Sequence, residues 1–225
     1  MRIIKSMRTG VMHRTFVYRQ QYLFSAVVLW GFRLDNAENV LEPHLWEAIG
    51  EALAPGQPLD QALPKGCAEF LVAGRFHAPE GRPVQRGTVS VSVGDRAKAL
   101  EVTGDRHWQA LGASKPAAFT EMPVSYARAF GGEGFKRNTV GLGFTPVEAD
   151  GVTRHPLPNV EYPGQAVTSP GDRPEPAALD RVDPMWEQRF TYAGTYDDNY
   201  MRDAFPGFPR DLDWLYFNDA ARDQW

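Results

Sequence analysis

A chain of 225 residues with 24 Lys and Arg against 28 Asp and Glu has a net charge of −4 and no basic stripe, which excludes a nucleic-acid footprint. Its 43 % apolar and 12 % aromatic content excludes a disordered chain and can build one sizeable core, so a single domain over 1–225 is expected. One cysteine, Cys67, excludes an internal disulfide and fits a reducing, cytoplasmic compartment.

In chain order, residues 1–17 alternate loosely around a Thr9-Gly10 turn and predict two short strands. Gln21 to Leu34 holds Tyr22, Phe24, Val27, Val28, Leu29, Trp30 and Phe32, and predicts a central strand buried on both faces. Its apolar run from Leu23 to Phe32 is far shorter than the roughly twenty residues of a membrane span. Arg33, Leu34 and Asp35 after it offer no signal-peptide cleavage site, so no membrane is expected. Leu41, Leu45, Trp46, Ile49 and Leu53 then take helical spacing, predicting a helix over 41–53 before the Pro55-Gly56 stop. An extended loop follows over 58–65.

Three strands are predicted next, Glu69 to His77, Thr88 to Val93 and Ala97 to Thr103, as an antiparallel meander turning at 79–83 and at Gly94-Asp95. Ser125 to Phe130 reads as a short helix ended by Gly131-Gly132. Residues 136–183 are rich in Pro and Gly and lack periodicity, yet Leu157, Val160, Tyr162 and Val167 recur as anchors, so a long pinned loop is expected. The last stretch, 184–225, packs rings from Trp186 to Trp225 among seven Asp from Asp197 to Asp223. Turn chemistry makes those Asp turn formers, caps and partners of Arg189, Arg202 and Arg210. The fold class is therefore mainly β, an antiparallel β-sandwich or partly closed barrel with one to three short helices and a long Pro/Gly-rich C-terminal loop region.

Motifs for chemistry are sparse. His13, His44, His77, His107 and His155 form no close pair, so no metal is expected, and neither a nucleophile elbow nor a phosphate loop occurs. Gly131, Gly132 and Gly134 lack dinucleotide spacing. The expectation is no catalytic residue, no cofactor and no reaction. The rival is a carbohydrate-active enzyme using Asp197, Asp198, Asp203, Asp211 and Asp213, which needs two carboxyls facing each other about 5 to 10 Å apart.

Several stretches together are similar to the DUF2169 family encoded in type VI secretion clusters of Gram-negative bacteria. They are MRIIKSMRTGVMHRTF at the start, PKGCAEFLVAG at 64–74, VTGDRHW at 102–108, FTEMPVSYARAFGGEGF at 119–135, HPLPNVEYP at 155–163, SPGDRPEPA at 169–177, then AGTYD, FPGFPRDLDW and FNDAARDQW. The resemblance implies an adaptor or chaperone that binds a secreted effector and helps load it onto the VgrG spike with its PAAR cap. A structural part of the secretion apparatus is a further alternative. Family members extend past Asp223-Gln224-Trp225, so the resemblance also implies a chain shortened after residue 225. A partner-gripping protein needs exposed rings and Arg anchors. The expected partner contacts are Arg128, Phe135, Asn159, Tyr192, Tyr196, Asp197, Phe205, Phe208 and Trp214.

Overall fold

Residues 10–29, 65–149, 151–183, 185–186 and 194–225 are described by the computed structural model, and their regular structure is mainly β. Residues 10–29, 65–67 and 194–218 group into one compact unit, and the rest into a second, larger one.

In the smaller unit, β1 (Gly10–Tyr18) and β2 (Gln21–Leu29) form an antiparallel hairpin in register from Gly10 opposite Leu29 to Tyr18 opposite Gln21. Its two-residue turn places Arg19 at φ 49° and Gln20 at φ 63°, the left-handed pair that matches the twist of two joined strands. Neither residue is a usual turn former. Arg19 holds the conformation from outside, donating through Nε to the Arg210 carbonyl at 3.3 Å and lying over the Tyr18 ring. The expectation of a strand buried on both faces fails at Tyr22 and Phe24, which are 84 % and 44 % exposed while Leu23 and Ser25 are half-buried. An apolar run in a hairpin still alternates, and one face meets solvent. The second of the two strands expected in 1–17 is β1; residues 1–9, the helix expected over 41–53 and the loop over 58–64 lie outside the described residues.

Residues 194–218 complete that unit. The helix Asp198–Asp203 starts where Asp197 accepts the Tyr200 N–H at 2.9 Å, satisfying a donor that has no partner within the helix. The chain then turns through a cis Phe205–Pro206 bond and meets the hairpin, with the Phe208 N–H donating to the Val17 carbonyl at 2.9 Å. A Cβ on Gly207 would lie 2.5 Å from that same Val17 oxygen, so the close approach requires glycine. Trp214 packs against Phe16 at 5.9 Å, Tyr18 at 4.9 Å and Phe208 at 5.9 Å between ring centres, giving the hairpin an aromatic core.

The larger unit contains β3 (Arg75–His77), β4 (Arg86–Val93), β5 (Arg96–Thr103), β6 (Glu121–Pro123) and β7 (Val160–Glu161). β5 is central between β4 and β7, all antiparallel, and β4 turns into β5 through Gly94-Asp95 with Gly94 at φ 60°. The expected meander is corrected at its first member. Only Arg75–His77 is a strand and it pairs with β6, while the stretch before it sends the Phe70 N–H to the Gln224 carbonyl and the Val72 N–H to the Leu179 carbonyl. Those long-range acceptors replace a neighbouring strand. The helix expected at 125–130 is a single 3₁₀ turn, Tyr126–Arg128.

Leu100, Val102 and Val160 are fully buried and, with Phe76, Met122, Ala177 and Leu179, form the principal core. Each of the large apolar side chains stabilises the fold by roughly 1.5–3 kcal/mol relative to exposure. Residues 136–183 run over this core with short paired segments, and buried polar side chains fix them. Asn138 donates to the Tyr126 and Phe130 carbonyls at 2.8 and 3.1 Å, and Asp183 accepts the Thr139 N–H at 2.6 Å. Glu161 accepts from Arg106 at 2.7 Å and from the Val167 N–H at 2.6 Å. Among the described residues the sheets are small and open, and none closes into a barrel.

Candidate functional site

The sequence-predicted contact residues divide between the two units. In the smaller one, Tyr196 packs edge-on against Tyr200 at 5.0 Å, and Tyr200 against Phe205 at 6.3 Å. Tyr196 and Phe205 are 56 % and 60 % exposed, so the series ends in solvent on both sides. Phe208 and Trp214 are half-buried in the aromatic core below, and Tyr192 lies outside the described residues. Four Asp residues of this segment are occupied locally. The Tyr200 N–H holds the Asp197 carboxyl below its usual range. Asp211 takes the Thr195 hydroxyl at 2.6 Å and its N–H at 3.1 Å, and these bonds lower its pKa in the same way. Asp213 accepts the Leu215 N–H at the head of the 3₁₀ turn Trp214–Phe217, and Asp203 pairs with Arg202 at 3.0 Å. These are caps and turn braces, as the Pro- and Gly-rich context predicts.

In the larger unit, Asn159 has no exposed surface. It donates from Nδ2 to the Thr103 carbonyl and to Asp105 Oδ1, both at 3.0 Å, and its backbone joins Thr103 and Arg128. Phe135 is also interior, 5.1 Å from the ring centres of both Phe130 and Phe144. These two residues act from inside the fold. Arg128 is the accessible member of the group, 3.3 Å from Asn159 Oδ1 and 3.6 Å from Asp105.

The site that sequence reasoning missed is a cleft of about 330 Å³ in the larger unit, lined by Tyr126, Arg137, Tyr162, Glu175, Trp186 and Asp223 among others. Its volume falls at the lower end of ligand pockets. Beneath it lies Lys98, whose side chain is 1 % exposed. Lys98 Nζ donates to Asp223 Oδ1 at 2.9 Å and to Gln224 Oε1 at 2.8 Å, and lies over the Tyr162 ring. Tyr162 in turn donates its hydroxyl proton to Asp223 Oδ2 at 2.6 Å. Burial lowers the Lys98 pKa, against the opposing pull of Asp223. Burial also raises Asp180, to about 7, while the Tyr126 N–H at 3.0 Å pulls it the other way. At the mouth, Arg137 pairs with Glu175. The signal for this site was present in β5, where the inward alternation of Leu100 and Val102 puts Lys98 on the same face.

The family model described as an uncharacterized protein conserved in bacteria, DUF2169, matches residues 19–225. The chain belongs to the DUF2169 family. No curated protein and no solved structure matches it. Both the exposed Tyr196–Phe205 rings and the Lys98 cleft fall within the DUF2169 match. Among the described residues of this DUF2169 chain, no helix is long and apolar enough to cross a membrane, and no group of three His, Cys, Asp or Glu could hold a metal ion.

Proposed function

We propose that this DUF2169 protein is a cytoplasmic adaptor or chaperone that binds a type VI secretion effector and helps load it onto the VgrG spike and its PAAR cap. One observation carries the reading beyond the resemblance of its sequence stretches: the smaller unit presents Tyr196 and Phe205 to solvent on a braced scaffold. Exposed rings, here linked through Tyr200, are costly to leave in water and are common anchors of protein interfaces. The Asp197 cap and the Phe208 to Val17 hydrogen bond hold the rings' backbone, so little order has to be gained on binding.

The test is co-purification from the native host, with the adjacent effector gene deleted as control. An adaptor co-elutes with the effector, stays in the cytosol when the spike is exported, and loses its partner in the Y196S/F205S double variant. Recovery with the secreted tube would make it a structural part instead. Normal effector export from cells lacking the gene would end the adaptor reading.

A further inference from the structure

β4 forms one edge of the β7-β5-β4 sheet, and its pairing with β5 fixes which of its backbone groups face outwards. The Gln85 carbonyl accepts the Gly104 N–H at 3.1 Å in the same register that joins β4 to β5, so the odd-numbered residues of β4 bond to β5. The even-numbered ones turn their N–H and C=O groups the other way. At Val84 that outer side is taken, because Val84 and Phe119 exchange two backbone bonds at 2.9 Å. Beyond it, Thr88, Ser90 and Ser92 are exposed, and their outward backbone groups have no partner among the described residues.

Soluble proteins blunt such an edge with a bulge, a proline or a lysine. The stretch from Thr88 to Val93 has none of these: it reads Thr-Val-Ser-Val-Ser-Val, and its register with β5 is unbroken. Its apolar side is also left incomplete. Val89 and Val91 pack against the principal core but are only half-buried, and Val93 is 51 % exposed. A strand added here must carry apolar residues on that face and small polar ones on the other, which is the pattern of β4 itself.

Antiparallel pairing with a second copy, about a two-fold axis through Ser90, preserves both faces. Ser90 then meets its own equivalent, Thr88 meets Ser92, and Val89 meets Val91. In the same register Arg86 falls opposite Gly94 and beside Asp95 of the other copy. Arg86 and Asp95 are both exposed and have no ion-pair partner among the described residues, so opposite charges come together at each end of the contact. Arg96, the nearest further charge, alternates onto the other face of the sheet.

We propose that β4 is a self-association edge, through which two copies of this chain join their three-stranded sheets into one continuous sheet centred on Ser90. The contact lies within the larger unit and stands or falls independently of the secretion role.

The purified full chain is followed by sedimentation equilibrium from low-micromolar to millimolar concentration. One strand pair buries less than a standard interface, so a reversible equilibrium of monomer and dimer is expected. Ser90→Pro removes an N–H that β5 does not use, so the dilute protein keeps its melting temperature while the dimer weakens at least about tenfold. Ser90→Lys sets two like charges opposite each other and gives monomer, as does Ser90→Glu, and mixing the Lys and Glu proteins restores the dimer. That rescue decides the matter even where the proline variant fails to fold. A chain that is monomeric throughout, a dimer that Ser90→Lys leaves intact, or an absence of rescue on mixing would each overturn the proposal.

Discussion

Lys98 and Gln224 are 126 positions apart in the chain and joined by a 2.8 Å hydrogen bond that no solvent reaches. Gln224 uses its other end as well, donating from Nε2 to the Phe70 and Leu179 carbonyls at 2.9 and 3.0 Å. One buried amide thus ties β5, the segment before β3 and the region after 178 to the last turn. Lys98→Met removes the cation from this centre and leaves Gln224 Oε1 without a donor. Because Asp223 is about one-third exposed, water recovers part of its loss. The expected destabilisation is about 2–4 kcal/mol, read as a lower denaturant midpoint at unchanged m-value, and adding Asp223→Asn restores part of it.

The cluster also sets a pH dependence. Asp180 titrates near 7 in the folded protein against an ordinary value of 3.8, so between those values the folded state holds a proton that the unfolded state has released. Its contribution to stability is complete below about pH 4 and is lost as pH rises through about 7. Asp180→Asn keeps an oxygen for the Tyr126 N–H and removes the titration. The gap in unfolding free energy between wild type and this variant should therefore move against the wild type by a few kcal/mol between pH 5 and pH 8. A gap that stays level over that range would refute the assignment.

Interior and exposed members of the expected contact set should separate cleanly. Asn159→Ala leaves the Thr103 carbonyl and Asp105 without their donor, and the melting temperature should drop by the equivalent of about 2–3 kcal/mol. Tyr196→Ser, at a ring more than half exposed, should shift stability by less than about 1 kcal/mol and act on partner binding instead. Thermal melts beside pull-downs distinguish the two.

Gly207→Ala tests the seat of the hairpin. The added methyl would collide with the Val17 carbonyl, so the Phe208 to Val17 hydrogen bond has to open. A loss of about 1–3 kcal/mol, with faster amide exchange at Phe208, is the expected result.

Strand-rich composition and the Gly94-Asp95 turn made β4 and β5 legible, because alternation and a turn dipeptide are both local signals. Capping by Asp197 and Asp213 was legible for the same reason. The Arg19-Gln20 turn was not, since its positive φ values are held by Arg210, nearly two hundred residues away, and not by a glycine. Asn159 and Phe135 look like surface anchors in the sequence, although they bind other parts of the same fold. A buried polar side chain and an exposed one look identical in a sequence. The cleft was missed because Lys98, Tyr126, Tyr162 and Asp223 converge from four separate stretches.

The Gln224 clasp has a consequence for how the protein is made. Its acceptors and donor come from Phe70, Lys98 and Leu179, so the larger unit cannot complete its interior until residue 224 has been made and has folded back. Contacts of such long sequence separation form late and slowly. Until then, a lysine and two backbone carbonyls stay open to water, and the nascent polypeptide is vulnerable to proteases and to mispairing.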